Sequence, residues 1–273
     1  MDPETALQVS VLVPFRNEAK LLPHLINDLL GQSYPADQME ILFINDHSED
    51  GSTVLFDSLS GKDLKISCLD LPEGRSGKKE ALAYGVEHAS SQWILQMDAD
   101  CRIGPGFVAS HMDFRAQNSS DLVAGLVSTT QTRGGFLEHF ERLDLLSLAG
   151  VGAASFFWGR AMMCSGANLA YTRELFVETR AFDPSREHAS GDDMFLMIGA
   201  RKLGKTLSYN LDRETVARTA PVSNPGSFLD QRIRWGAKTT AYKMPDIQLL
   251  AALVALTNLS VLLFPLGILL YPE

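Results

Sequence analysis

Asp98 and Asp100 stand two residues apart at the end of the apolar run Trp93-Ile94-Leu95-Gln96-Met97. Side chains of an extended segment alternate faces, so residues i and i+2 point the same way. Two carboxylates side by side at the carboxyl end of a strand repel each other unless a cation joins them. A divalent cation held there would in turn accept phosphate oxygens. A lone Asp-x-Asp is also well explained as solvated acids capping a strand, so the other polar clusters of the chain must decide.

Five further clusters carry side chains that can do chemistry. Pro14-Phe15-Arg16-Asn17-Glu18 follows an apolar segment. Proline has no N–H for a ladder, so it marks a strand exit, and the loop leads to a helix N-terminus, where anions are favoured. Asn45-Asp46-His47-Ser48-Glu49-Asp50-Gly51-Ser52 follows a second apolar segment. Asp46 there suits a base N–H or a ribose hydroxyl, and the cluster equally suits a turn with Asp50 or Ser52 as N-cap. Gly74-Arg75-Ser76-Gly77-Lys78-Lys79 allows close backbone approach, with Lys78 or Lys79 as a point charge for phosphate. It lacks the Walker spacing.

Asp192 and Asp193 open a helical stretch, where acids complement the dipole. Their mutual repulsion beside the apolar turn Met194–Met197 raises one pKa, which suits a general base. Gln231, Arg234 and Trp235 lie at i, i+3 and i+4 and share a helix face. An amide, a guanidinium and an indole suit a diphosphate and a sugar ring. The same residues also make an ordinary cation–π pair of Arg on Trp.

The elements that must position these residues alternate in the first half. Val9–Pro14, Met39–Ile44, Lys65–Leu69 and Trp93–Met97 read as strands, and Glu18–Leu30, Asp50–Leu59 and Ser76–Ala89 as helices. That order predicts an α/β fold with a mostly parallel central sheet flanked by helices and right-handed crossovers. Ligands bind such sheets outside the carboxyl ends of the strands. The second half reads as a strand over Leu122–Val127, an amphipathic helix over Phe136–Leu148 and an extended Leu169–Tyr171. A helix over Asp192–Lys202, strands over Thr206–Tyr209 and Thr215–Arg218, and a helix from Pro225 to about Tyr242 complete it.

With 273 residues, 45% of them hydrophobic, the chain can hold one large or two small domains. A net charge of -9 argues against a nucleic-acid partner, which needs a basic footprint. Cys68, Cys101 and Cys164 are odd in number and far apart, so they read as buried thiols in a reducing compartment. Met1–Gln8 has neither the basic nor the apolar region of a signal peptide. Ile247–Leu270 contains no charged residue and, at ~1.5 Å per residue, reaches across a ~30 Å hydrocarbon layer. It is expected to span a membrane, a buried core helix being the alternative. Arg232, Arg234, Lys238 and Lys243 before it place the rest of the chain on the cytoplasmic side. The stretch Phe136–Trp158 reads as core packing or as an interfacial helix beside a lipid.

In order, Asp46, Asp98-Ala99-Asp100, Asp192-Asp193 and Gln231-Arg232-Ile233-Arg234-Trp235 resemble the family-2 glycosyltransferases of GT-A fold. The likeness is to their membrane-associated, cellulose-synthase-like branch and covers about Val9 to Lys243. It implies a cytosolic domain over 1–243, with a nucleotide-sugar half (8–130) and an acceptor and catalytic half (131–243), then a transmembrane segment over 247–271. It implies an inverting transfer of a sugar from a nucleotide-diphosphate sugar, a UDP-sugar above others, to a polysaccharide or lipid acceptor at the membrane. By the same likeness Pro14, Arg16, Glu18, Asp46, Lys78 and Asp98 would hold the donor nucleotide, and Asp100 would bind Mg²⁺ or Mn²⁺. Asp193 would be the base, with Asp192, Gln231, Arg234 and Trp235 at the diphosphate and acceptor.

Two departures stand out. Asp192 replaces the usual Glu, and Met162–Asn168 is similar to the acceptor-side Cys-Gly segment of the branch without matching it. The rival readings are a catalytically silent nucleotide-sugar-binding membrane protein and a sugar nucleotidyltransferase. The latter wants a glycine-rich loop after the first strand, and Pro14–Glu18 has no glycine.

Overall fold

The apolar runs of the first half become four parallel neighbours. In the computed structural model, which describes residues 8–59, 64–130, 134–180, 191–222, 224–237, 242 and 244–270, these are β1 (Val9–Phe15), β2 (Met39–Asn45), β3 (Lys65–Asp70) and β4 (Trp93–Gln96). Every residue of β1, β2 and β4 is buried, as strands covered on both faces require. β1 and β2 run in register from Val9 opposite Met39 to Phe15 opposite Asn45.

The second half extends the same sheet with β5 (Leu122–Gly125), β7 (Leu169–Thr172) and β8 (Leu207–Asn210). The strand order is β3-β2-β1-β4-β7-β5-β8. β7 runs antiparallel to both β4 and β5, and β5 is parallel to β8. The sheet is therefore mostly parallel, as predicted, with one reversed strand in its middle. β6 (Val127–Thr129) and β9 (Ala217–Thr219) form a separate parallel pair. The expected strand Leu122–Val127 is thus divided at Leu126 between two sheets.

The helices are α1 (Leu22–Leu30), α2 (Lys78–His88), α3 (Phe107–Gln117), α4 (Phe136–Phe157), α5 (Arg173–Arg180), α6 (Asp192–Lys202), α7 (Pro225–Gly236) and α8 (Pro245–Leu270). α1 starts at Leu22 rather than Glu18, with Pro23 in its first turn, where the missing N–H costs nothing. Ser52–Leu59 is a 3-10 helix instead of an α-helix. α4 continues through Gly150 and Gly152 to Phe157. A Cβ on Gly152 would stand 3.2 Å from Met163, so the glycine serves a close approach. α3 and α5 were not foreseen from the sequence: the apolar residues of α3 are spread round the helix, and α5 is amphipathic but only eight residues long.

The chain divides into two compact units, Met1–Val222 and Ser223–Glu273. The first holds the sheet and its core of Val, Leu, Ile and Phe. The second holds α7 and α8. α7 opens on Asn224, whose side chain accepts from the Ser227 N–H at 3.0 Å, with Pro225 next. It ends at Gly236, short of the expected Tyr242, and Lys238 and Lys243 lie outside the described residues. α8 is helical over 26 residues, but among the described residues no helix is long and apolar enough to cross a membrane. The cysteines are free as expected, with only Cys101 fully buried and Cys68 and Cys164 half-buried. Burial, aided by Asp70, pushes the Cys68 thiol up to about 12.

Candidate active site

The chain leaves β1 for β2 on one side and later returns to place β4 on the other. The carboxyl ends of β1 and β4 therefore flank the point where the strand order reverses, where open α/β sheets hold ligands. A cavity of about 310 Å³ lies there, lined by Pro14, Arg16, Glu18, Asp46, Lys78, Asp98 and Asp100 together with Phe15, Ala81 and Ala99. All the residues assigned from the sequence to nucleotide and metal come together in it.

Each is held by a local device. Asn17 adopts a left-handed backbone at φ 56°, a conformation asparagine tolerates. Its side chain accepts from Glu49 N–H at 2.8 Å while its own N–H donates to Ser48 at 3.0 Å. Ala19 and Glu18 N–H groups bond Asp50 and Ser52 at 2.8 and 3.0 Å. The loops after β1 and β2 are thus clasped, and Arg16 and Glu18 are presented from a fixed turn. Asp50, which also accepts from the Ser52 N–H at 3.0 Å, is the turn residue of its cluster. Asp46 faces the cavity.

Asp46 Oδ2 accepts the Gly77 N–H at 2.9 Å and lies 3.7 Å from the Arg16 guanidinium. Its Oδ1 is buried without a hydrogen-bond partner, an open acceptor of the kind a ligand N–H or hydroxyl would fill. Gly77 sits at φ 91°, ψ 154°, a conformation only glycine adopts readily. The glycine-rich loop is fastened through Arg75, which binds Glu80 and Glu87, stacks over Tyr84 at 5.2 Å and offers its carbonyl to His47 at 2.9 Å. Between the two lysines left open by the sequence, Lys78 enters the cavity and pairs with Asp98, while Lys79 lies over the Phe195 ring.

Lys78 links two acidic groups. Burial opposes its charge, and the carboxylates of Asp98, Asp192 and Asp193 outweigh that, so its pKa is raised. Asp193 Oδ2 accepts the Gly166 N–H at 2.9 Å and Oδ1 its neighbour Met194 N–H at 2.8 Å. Burial and then the Asp192 carboxylate raise the Asp193 pKa against the pull of Lys78. A Cβ on Gly166 would meet Lys78 Nζ at 3.3 Å and Asp193 Cβ at 3.5 Å. The segment Met162–Asn168 therefore wraps the acid pair, a role its sequence did not disclose.

The carboxyls of Asp100 and Glu18 are also held above their usual range. Burial is the main cause in each, followed by Asp98 for Asp100 and by Asp100, Asp50 and Asp98 for Glu18. Among the described residues no group of three or more His, Cys, Asp or Glu side chains is arranged to cage a metal ion. Asp100 and Asp98 in one cavity still fit Mg²⁺ or Mn²⁺, because such ions are commonly held by one or two carboxylates with the rest of the shell from substrate phosphates and water. A cation there would relieve the repulsion that raises Asp100.

Gln231, Arg234 and Trp235 lie on α7 in the second unit. Arg234 and Trp235 are exposed, Trp235 by 39%. Arg232, the arginine between the motif positions, stacks on both Phe228 and Trp235, at 4.5 and 4.4 Å. The cation–π pair foreseen for this helix is made by Arg232.

An open α/β sheet with an acidic cleft at its switch point places the chain among α/β proteins that hold a ligand at the carboxyl edge of the strands. Residues 10–180 match the family described as Glycosyl transferase family 2, and the chain belongs to that family. It carries a glycosyltransferase domain, as its motifs predict. It is similar to the mannosyltransferase PcManGT of Pyrobaculum calidifontis, solved with GDP-Man and Mn²⁺, with a TM-score of 0.64 and 23% identity over 86% of this chain and 62% of that one. It is also similar to S. aureus TarS 1-349 solved with UDP-GlcNAc, with a TM-score of 0.60 and 19% identity over 80% of this chain and 60% of that one. These likenesses show the fold. Among curated relatives, the poly(ribitol-phosphate) beta-glucosyltransferase of Bacillus spizizenii is 21% identical over 211 residues. That match takes in 75% of this chain and 32% of the relative, so the chain spans about a third of that protein's length.

Proposed function

We propose that the protein is an inverting hexosyltransferase that moves a sugar from a nucleotide-diphosphate sugar, with UDP-sugars favoured, to an acceptor hydroxyl on a polysaccharide or lipid. The observation that carries this reading is Lys78, a single ammonium in reach of Asp98 on the donor side and of Asp192 and Asp193 on the other. The carboxylate on the donor side and the proposed base are then joined through one side chain.

In this reading Asp46 Oδ1 accepts from the nucleoside, and the Gly77 loop and Lys78 lie against the diphosphate. Asp100, with Asp98, would hold Mg²⁺ or Mn²⁺, which would supply neutralisation of the charge on the leaving diphosphate. Asp193 takes the proton from the acceptor hydroxyl as its oxygen attacks the anomeric carbon. The bond from that carbon to the diphosphate oxygen breaks, and the nucleoside diphosphate departs from the opposite face, which inverts the centre. The raised pKa of Asp193 makes it a better proton acceptor than an ordinary carboxylate. We place the protein at the cytoplasmic face of a membrane, a setting in which the exposed leucines of α8, Leu249, Leu253, Leu256, Leu259 and Leu263, would meet an apolar surface.

The test is nucleotide release from a panel of UDP- and GDP-sugars with Mg²⁺ or Mn²⁺, followed by mass and anomeric analysis of the product. Asp193→Asn should lower turnover at least ~10²-fold while donor binding persists. Near-wild-type turnover in that variant removes Asp193 from the mechanism, and a retained anomeric configuration rules out single displacement.

A further inference from the structure

Gln96 takes no part in the reading above, yet it is a fully enclosed polar residue beside the site. It is the last residue of β4, two before Asp98, and only 1% of its surface is exposed. An amide buried in an otherwise apolar strand must place all its hydrogen bonds within the protein.

Both of its donated bonds go toward the acid pair. Nε2 donates to Asp192 Oδ2 at 3.1 Å and to the Gly166 carbonyl at 3.2 Å. Oε1 accepts the Tyr171 hydroxyl at 3.1 Å. Tyr171 is itself wholly buried, and burial followed by the Asp192 carboxylate holds its phenol protonated and able to donate. The amide cannot turn over, because Oε1 would then face a carboxylate and a carbonyl oxygen. Gly166, whose carbonyl Gln96 binds, gives its N–H to Asp193 Oδ2. A Cβ on Gly166 would stand 2.8 Å from Gln96 Nε2, so the contact leaves no slack.

We infer that Gln96 is a positioning residue for the transfer reaction. It fixes Asp192 directly and Asp193 through Gly166, and Tyr171 orients it. The inference rests on the proposed role of Asp193. It ties the strand that carries Asp98 to the acids on α6, so the donor side and the base keep one geometry.

Gln96→Met keeps the side-chain length and the strand packing, and Tyr171→Phe removes only the hydroxyl. Both are assayed for kcat and for donor KM, with Asp193→Asn alongside. Gln96→Met should lower kcat by about 10- to 100-fold with donor KM within about twofold of wild type, since a small misplacement of a reacting group costs on this scale. Tyr171→Phe should lower kcat about 3- to 10-fold in the wild-type background and add no further loss to Gln96→Met, because residues acting as one unit are not additive. Wild-type kcat in Gln96→Met, a loss confined to donor KM, or additive losses in the double variant would each overturn the inference. If Asp193→Asn is inactive while Gln96→Met is not, Gln96 alone is removed. Wild-type turnover in Asp193→Asn removes the base and this inference with it.

Discussion

Replacing Lys78 with methionine keeps most of the side chain's volume and removes its charge. Asp98, Asp192 and Asp193 are then left around one corner without the ammonium that faces them. Two unit charges about 4 Å apart interact by about 4 kcal/mol at an effective dielectric of about 20. Solvent discounts that figure here, because the side chains of Lys78 and Asp98 are 33% and 34% exposed. Exposed pairs contribute about 0–1 kcal/mol and breaking a fully buried pair costs about 3–5, so this half-buried case should cost about 1–3 kcal/mol. The sign of its pH dependence follows from linkage. The ammonium lowers the pKa of both Asp100 and Asp193, so its removal lifts those folded-state values further. A folded-state pKa above the unfolded one means that the folded protein binds protons more readily, so stability falls as pH rises through that range. The variant's deficit is therefore largest at pH 7 and shrinks as pH falls to 4, near the ordinary carboxylate range. Urea unfolding of wild type and Lys78→Met at both pH values measures it. A deficit below about 0.5 kcal/mol at pH 7, or the same deficit at both pH values, would refute the reasoning that Lys78 joins these acids.

Two further outcomes follow from the same framework. Burial pulls the His111 pKa down from 6.5 to about 4, against the bond its Nε2 makes to Asn168 Oδ1 at 3.0 Å. The neutral ring is the folded form, so this stability is fully present above pH 6.5 and is lost as pH falls toward 4. At 1.36 kcal/mol per unit it amounts to about 2 kcal/mol between pH 6.5 and 5, and urea midpoints of His111→Gln should fall less steeply over that interval than those of wild type. Gly77→Ala meets no atom within 4 Å, yet φ 91° is strained for any side chain. It should cost about 1–3 kcal/mol and weaken nucleotide binding as its N–H leaves Asp46, which calorimetric titration with UDP or GDP would register. Unchanged affinity at lowered stability would separate the loop's strain from its hold on Asp46.

The donor side was legible because each of its residues follows a strand exit. Pro14, Asp46 and Asp98 all stand where an apolar run stops, and parallel strands bring such stops to one edge without any knowledge of packing. Lys78 was narrowed to one of two neighbours by the glycines before it. The choice between Lys78 and Lys79 needed the direction in which α2 leaves Gly77. Gln96 was hidden because an amide inside Trp93–Met97 reads as one more strand residue. The signal was its polarity at a position where every neighbour is apolar, which demands a buried partner. Met162–Asn168 stood out only by its likeness to an acceptor-side segment, since the hydrogen bond to the Asp193 carboxylate comes from the Gly166 backbone and leaves no mark on composition. α3 was hidden because its apolar residues, Phe107, Val108, Met112 and Phe114, are spread round the helix, and α5 because it is amphipathic over only eight residues.

The reversed strand explains how Asp193, more than ninety positions away in sequence, reaches the Asp98 edge. In a parallel pair the start of one strand lies beside the start of its neighbour, far from the carboxyl edge. β7 runs the other way, with Leu169 opposite Gln96, so the segment that enters it arrives at the end of β4. Gly166, three residues before Leu169, is thereby set beside Lys78 and can bind Asp193 at the first turn of α6. Had β7 been parallel, its entry segment would have emerged at the Trp93 end of β4, and the carboxylates of α6 would have lost both Gln96 and Gly166 as donors. Strand direction is decided by which ends the connections can reach and by packing across the sheet, neither of which is written in Leu169–Thr172 itself. The acid pair is thus readable from sequence as chemistry, and its approach to the donor cleft depends on a reversal that only the fold supplies.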